Sequence, residues 1–174
     1  IHARVMREII KPTIDGMAAD GHPFSGFLYA GLMIDSAGNP RVVEFNARLG
    51  DPEAQVLLMR LKSDLFELLM AATDVQGSGV RDIELQWDRR SALGVVMASA
   101  GYPASPRLGD AISGIPDGSE DTHVFHAATT KNAAGELVTS GGRVLTVTAL
   151  GDPLRVAQQR AYAALESIGF DGMQ

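Results

Sequence analysis

The residues best equipped for chemistry lie in one run, Val42-Val43-Glu44-Phe45-Asn46-Ala47-Arg48-Leu49-Gly50-Asp51-Pro52-Glu53. Its apolar start reads as a β-strand, in which residues i and i+2 point to one face about 6.6 Å apart. Glu44, Asn46 and Arg48 would then share a face, with Val43, Phe45 and Ala47 on the other. A carboxylate beside an amide oxygen is a pair of hard ligands, which Mg²⁺ accepts at roughly 2.1 Å while keeping waters and phosphate oxygens. Arg48 offers a planar fork to an anionic oxygen. The solvated face of a half-exposed hairpin would give the same E-x-N-x-R spacing. Against that reading stands Gly50-Asp51-Pro52-Glu53, a turn loaded with anions beside the arginine, although a helix N-terminus would also welcome its Asp and Glu.

The flanking pattern predicts what must position these groups. Val5, Ile9, Ile10, Ile14 and Met17 form the stripe of an amphipathic helix over His2–Ala19. Pro12 should kink that helix or start a second segment. The apolar run 27–34 has strand length, Asp35-Ser36-Ala37-Gly38-Asn39-Pro40 is turn chemistry, and 41–46 returns as the second strand of an antiparallel hairpin. Ser63 is the expected N-cap of a helix carrying Leu65, Leu68, Leu69 and Ala72. Residues 73–90 dissolve into Gly, Ser and alternating charge. Strands are then expected at 92–99, 123–127, 137–139 and 143–149, with a hairpin loop at 133–136. A closing helix after Pro153 should bury Leu154, Ala157, Ala161, Leu165 and Ile168.

The chain is therefore expected to be α+β: an α+β piece over 1–72, a linker over 73–90, and a mainly β unit with one C-terminal helix over 91–174. Its 174 residues suffice for a real core, and 45% hydrophobic with 21% charged residues is ordinary for a globular protein. A net charge of −6 argues against binding a nucleic-acid backbone, so any nucleotide partner should be small and held locally. Without cysteine there is neither a disulfide nor a thiolate metal site. No apolar run reaches the roughly 18 residues of a membrane span, and a cytoplasmic location is the default expectation. The chain starts at Ile1, inside an element, and reads as one piece of a longer protein.

The run Glu44–Gln55 resembles the signature of the glycinamide ribonucleotide synthetases, Glu-Phe-Asn-(Ala/Cys)-Arg-Phe-Gly-Asp-Pro-Glu-x-Gln, with Leu49 in place of Phe. The similarity extends over Gly26–Asp35, Lys62–Leu65, Leu93–Met97, Gly101–Pro103, Val124–Ala127 and Gly141–Val144, in order along nearly the whole chain. It implies the C-terminal portion of an ATP-grasp domain joined to a small β-rich domain with one C-terminal helix. The implied reaction joins glycine to 5-phosphoribosylamine through a glycyl phosphate, giving glycinamide ribonucleotide, ADP and phosphate. By resemblance, Glu44 and Asn46 fall on the family's Mg²⁺ (or Mn²⁺) ligands. Arg48 and Asp51 fall on its catalytic loop, and Arg48, Gly50, Asp51 and Glu53 on its substrate-binding residues. Met33 falls where the fold packs an apolar side chain on the adenine of ATP, and a buried strand residue is an equal alternative there.

Two departures stand out. Many other ATP-grasp enzymes carry a metal-binding Glu where Gly31 stands, and Ala128 occupies a position more often Gly. The resemblance also places the ATP-gripping Lys and the triphosphate lid ahead of residue 1, and a last strand beyond Gln174. The piece alone should therefore be inactive, with an unpaired sheet edge near 27–34 inviting self-association. Two rivals remain: an ATP-grasp ligase for another carboxylate, opposed by Arg48–Glu53, and a non-catalytic interaction module, opposed by Glu44, Asn46, Arg48 and Asp51 together. His126 reads first as a hydrogen-bonded structural histidine. Gly141-Gly142-Arg143 is open between a phosphate cradle and a plain glycine turn.

Overall fold

The computed structural model describes residues 1–73, 80 and 83–174, so 74–79 and 81–82 of the expected linker lie outside the described residues. Two compact units emerge: Ile1–Gly50 with Asp64–Glu84, and Asp51–Ser63 with Leu85–Gln174.

The first unit opens with α1 (His2–Val5), a π-helical turn (Met6–Ile10) and α2 (Lys11–Ala19). Pro12 sits in the first turn of α2, directly after the π-helical turn, and thus begins a second segment. A proline cannot donate to a preceding carbonyl, and a locally widened turn accommodates that loss. The strands β1 (Tyr29–Ile34) and β2 (Pro40–Asn46) form the expected antiparallel hairpin. Its turn is closed by Asp35, whose Oδ1 accepts from the Ala37 and Asn39 amides at 3.0 and 2.8 Å. Arg4 donates to Asn39 Oδ1 at 2.8 Å and so ties the first helix to that turn. Helix α4 (Leu65–Ala72) completes the unit. Its N-cap is Asp64 rather than Ser63: the Asp64 carboxylate accepts from Phe66 N at 2.7 Å, while the Ser63 hydroxyl, which belongs to the second unit, accepts from Gln86 N of that same unit. The apolar stripe of α1 and α2 is only half-buried. Gly50 is the one fully buried residue of this unit among those described.

The second unit has a true core. Helix α3 (Glu53–Arg60) precedes β3 (Ser91–Ala98), β4 (Thr122–His126), β5 (Thr129–Lys131), β6 (Leu137–Thr139), β7 (Arg143–Gly151) and α5 (Leu154–Leu165). The sheet β3-β7-β4 is antiparallel with β7 at its centre, and β5-β6 form a separate hairpin whose loop turns at Gly135. Leu145, Val147 and Ala149 on one face of β7 are fully buried and cluster with Met97, Val124, Ala161 and Ile168. On the other face Thr146 and Thr148 lie beside Gly94, where an added Cβ would come within 3.0 Å of Val56 on α3. Gly94 therefore lets α3 lie close against the sheet.

That packing moves residues 51–63 out of the N-terminal piece into which the sequence division places them. Apolar burial on the sheet outweighs chain continuity with the hairpin. Of the stripe expected on α5, Ala157 and Ala161 are fully buried, but Leu154 is half-exposed in the first turn.

A polar network pins the start of β3. Asp88, 7% exposed, accepts from Arg90 Nε and Nη2 at 3.1 and 2.8 Å and from the Arg90 amide at 2.8 Å. Lys62 Nζ lies 3.5 Å away, and Arg60 donates to the Asp88 carbonyl. Arg90 continues to Asp121, which also pairs with Arg160 of α5 at 2.9 Å.

The Arg90 side chain holds the Asp88 carboxyl well below the usual carboxylate range. A depressed carboxyl contributes stability that is complete above its unfolded value of 3.8 and fades as pH falls below it. The thermal midpoint of wild type should therefore exceed that of Asp88→Asn by a constant margin above about pH 5, with the gap closing below pH 3.8. In hydrogen exchange, amides of β7 should be the slowest, and those of β1 and β2 should exchange orders of magnitude faster, because their unit buries so little.

Candidate functional site

The candidate residues are carried by the hairpin and the segment that follows it. Tyr29, Gly31 and Met33 alternate onto one face of β1. The register sets Tyr29 opposite Asn46 and Gly31 opposite Glu44, so that face of the hairpin is also the face of Glu44 and Asn46. Val43 is the extra residue where the register shifts, between the pairs Gly31–Glu44 and Leu32–Val42. Asn46 Nδ2 lies 3.1 Å from Glu44 Oε1, so the two expected ligands are already in contact. Their donor set fits a hard divalent cation: a carboxylate and, once the amide turns, a carbonyl oxygen, both reachable from solvent. Among the described residues, no cluster of three His, Cys, Asp or Glu side chains could hold a metal by itself.

A Cβ at Gly31 would stand 3.0 Å from Glu44 Cγ, so a larger residue there would make the Glu44 side chain shift by a few tenths of an ångström. Met33 is 66% exposed on the hairpin.

Arg48 departs from the expected strand alternation. Strand β2 ends at Asn46, and the Arg48 guanidinium instead folds back onto its own loop, donating to the Leu49 carbonyl at 2.8 Å. Gly50 is buried at the end of the first unit.

Asp51, Pro52 and Glu53 belong to the second unit, with Pro52 as N-cap of α3 and Glu53 in its first turn, where the helix dipole favours an anion. Asp51 meets a residue that the spacing in sequence could not link to it: Arg143, the first residue of β7, donates to it twice. The two line an open cleft of about 570 Å³ with Tyr102, Ala127, Ala128 and Gly142. The one hint of this in the sequence is the glycine pair before Arg143. His126 is exposed, with Nδ1 3.1 Å from Thr129 Oγ1, in keeping with a structural role.

The family model described as "Phosphoribosylglycinamide synthetase, ATP-grasp (A) domain" matches residues 1–54, and "Phosphoribosylglycinamide synthetase, C domain" matches residues 92–174. The chain is 57% identical to a phosphoribosylamine–glycine ligase of Ralstonia nicotianae over all of its length and 40% of the relative's. It is 55% identical to one of Xanthomonas axonopodis pv. citri, over 97% of this chain and 38% of that relative. The crystal structure of the Thermotoga maritima phosphoribosylamine–glycine ligase superposes with a TM-score of 0.80 at 32% identity, covering 99% of this chain and 41% of that one. The chain thus spans about two fifths of the length of these relatives. With both family models falling in order on the two parts that carry the candidate residues, this chain belongs to the phosphoribosylglycinamide synthetase family.

Proposed function

We propose that the protein to which this chain contributes is an ATP-dependent ligase joining the carboxylate of glycine to the amine of 5-phosphoribosylamine. The observation that carries this reading is the hairpin face shared by Met33, Gly31, Glu44 and Asn46, one apolar contact and two hard oxygen donors in a row. Relatives bearing that activity's name are more than half identical along the whole chain.

In this reading Glu44 and Asn46 hold Mg²⁺ or Mn²⁺, which supplies charge neutralisation to a transferring phosphoryl group. Met33 offers its thioether to the adenine of ATP. Arg48 leaves the Leu49 carbonyl to grip an anionic oxygen of the phosphate or of the glycyl phosphate formed from it. Asp51 and Glu53 accept N–H or O–H donors from the amine substrate, and the buried Gly50 fixes the main chain between them and Arg48. Its substrates are small molecules, and the reading calls for neither nucleic acid nor a membrane; no helix among the described residues is long and apolar enough to cross one.

The decisive test is turnover against Mg²⁺ concentration in the full-length enzyme. Glu44→Gln keeps the shape but removes the charge, so the Mg²⁺ requirement should rise and turnover fall, with the thermal midpoint unchanged. A Glu44→Gln curve that overlays wild type would remove Glu44 from the site and sink the reading. The 174-residue chain by itself should release no ADP with glycine and 5-phosphoribosylamine. It should also self-associate with rising concentration through Met33, Val43 and Phe45, which are 66%, 65% and 43% exposed on a two-stranded sheet. Turnover near 1 s⁻¹ or above from this chain, or a strictly monomeric sedimentation profile, would contradict these expectations.

A further inference from the structure

Arg143 reaches across 92 positions of sequence to grip Asp51 at two chemically different points. Its Nη1 donates to the Asp51 main-chain carbonyl at 2.8 Å, and its Nη2 to Asp51 Oδ2 at 3.1 Å. One contact fixes the backbone of the turn and the other fixes the carboxylate rotamer. A rigid guanidinium fork can hold both at once, whereas a lysine ammonium cannot reproduce that geometry. With Oδ2 engaged, Oδ1 remains to accept an N–H or O–H from a ligand in the cleft.

Arg143 is itself tightly placed. It opens β7 opposite Ala98, and its carbonyl accepts from the Ala128 amide at 3.0 Å. The two residues before it leave no room for side chains. A Cβ on Gly141 would stand 2.7 Å from Ala128 Cβ, and one on Gly142 would stand 2.2 Å from Tyr102 Cδ2. The glycine pair thus lets the Tyr102 ring and the Arg143 fork flank one cleft with Asp51. Folding does not explain this arrangement. The Arg143 and Asp51 side chains are 40% and 52% exposed, and ion pairs so exposed add little to stability.

We propose that Arg143 is a positioning residue, holding the Asp51 carboxylate and its turn in the arrangement that receives the amine substrate. This rests on the reading of Asp51 as a substrate-facing group.

The test uses the full-length enzyme and the variants Arg143→Met, Arg143→Lys, Asp51→Asn and the double variant Asp51→Asn/Arg143→Met. Arg143→Met should lower kcat/KM for 5-phosphoribosylamine by about tenfold to a hundredfold, the range expected of a displaced positioning contact. KM for ATP and the thermal midpoint should stay at the wild-type values, and Arg143→Lys should recover only part of the loss. Because Arg143 acts through Asp51, the double variant should be no worse than Asp51→Asn alone. Wild-type kcat/KM in Arg143→Met, losses that multiply in the double variant, or losses that track a fallen thermal midpoint would each overturn the assignment. Absence of glycine-dependent ADP release from the wild-type enzyme would instead overturn the functional reading itself, before any variant is compared.

Discussion

Burial of β7 on both faces is the constraint from which most of this structure follows. Pairing with β3 and β4 satisfies its backbone, and from Val144 to Gly151 no residue is left exposed. One face closes under α5 through Ala157 and Ala161, residues small enough to bring the helix close. The other carries threonines, and Thr148 returns its hydroxyl to the His123 carbonyl at 3.0 Å, so a polar group lies buried with its partner supplied. Helix α3 covers that side, and its approach depends on Gly94 having no side chain. Because α3 starts directly after Asp51 and Pro52, the position of the candidate loop inherits the order of the central strand.

The two units differ in kind. The C-terminal one is a packed body whose polar network around Asp88, Arg90 and Asp121 links the entry to β3 with α5. The N-terminal one is a hairpin and helices whose apolar residues stay half-exposed. Chemistry-bearing residues lie in both. Glu44, Asn46 and Met33 sit where the local fold is thin, and Asp51 sits where it is firmly anchored by Arg143.

Much of this was legible in the sequence because the signals were local. The hairpin 29–46 follows from two apolar runs around Asp35–Pro40, and β6, β7 and α5 follow from period-two and helical patterns. What escaped was set by tertiary packing or by neighbouring choices. Arg48 reads as a third residue on the strand face only if the strand continues, and the strand stops at Asn46. Ser63 and Asp64 are both competent caps, and Ser63 is drawn away by the Gln86 amide. Leu154 fits the helical stripe, yet in the first turn of α5 it stays 51% exposed. Helix α3 is hidden inside a stretch whose anions read equally as a turn. No periodicity could join Arg143 to Asp51, since the pairing exists only once β7 is in place.

The boundary between the units falls inside the twelve-residue signature, after Gly50. Read as heredity, that makes the motif a shared possession: Glu44 and Asn46 travel with one module, and the Asp51 carboxylate held by Arg143 with the other. Recombination at this joint would hand a descendant half of the motif. Lineages that shuffle such modules would thus be expected to cross over elsewhere and to inherit the hairpin, the loop and the C-terminal sheet as one unit.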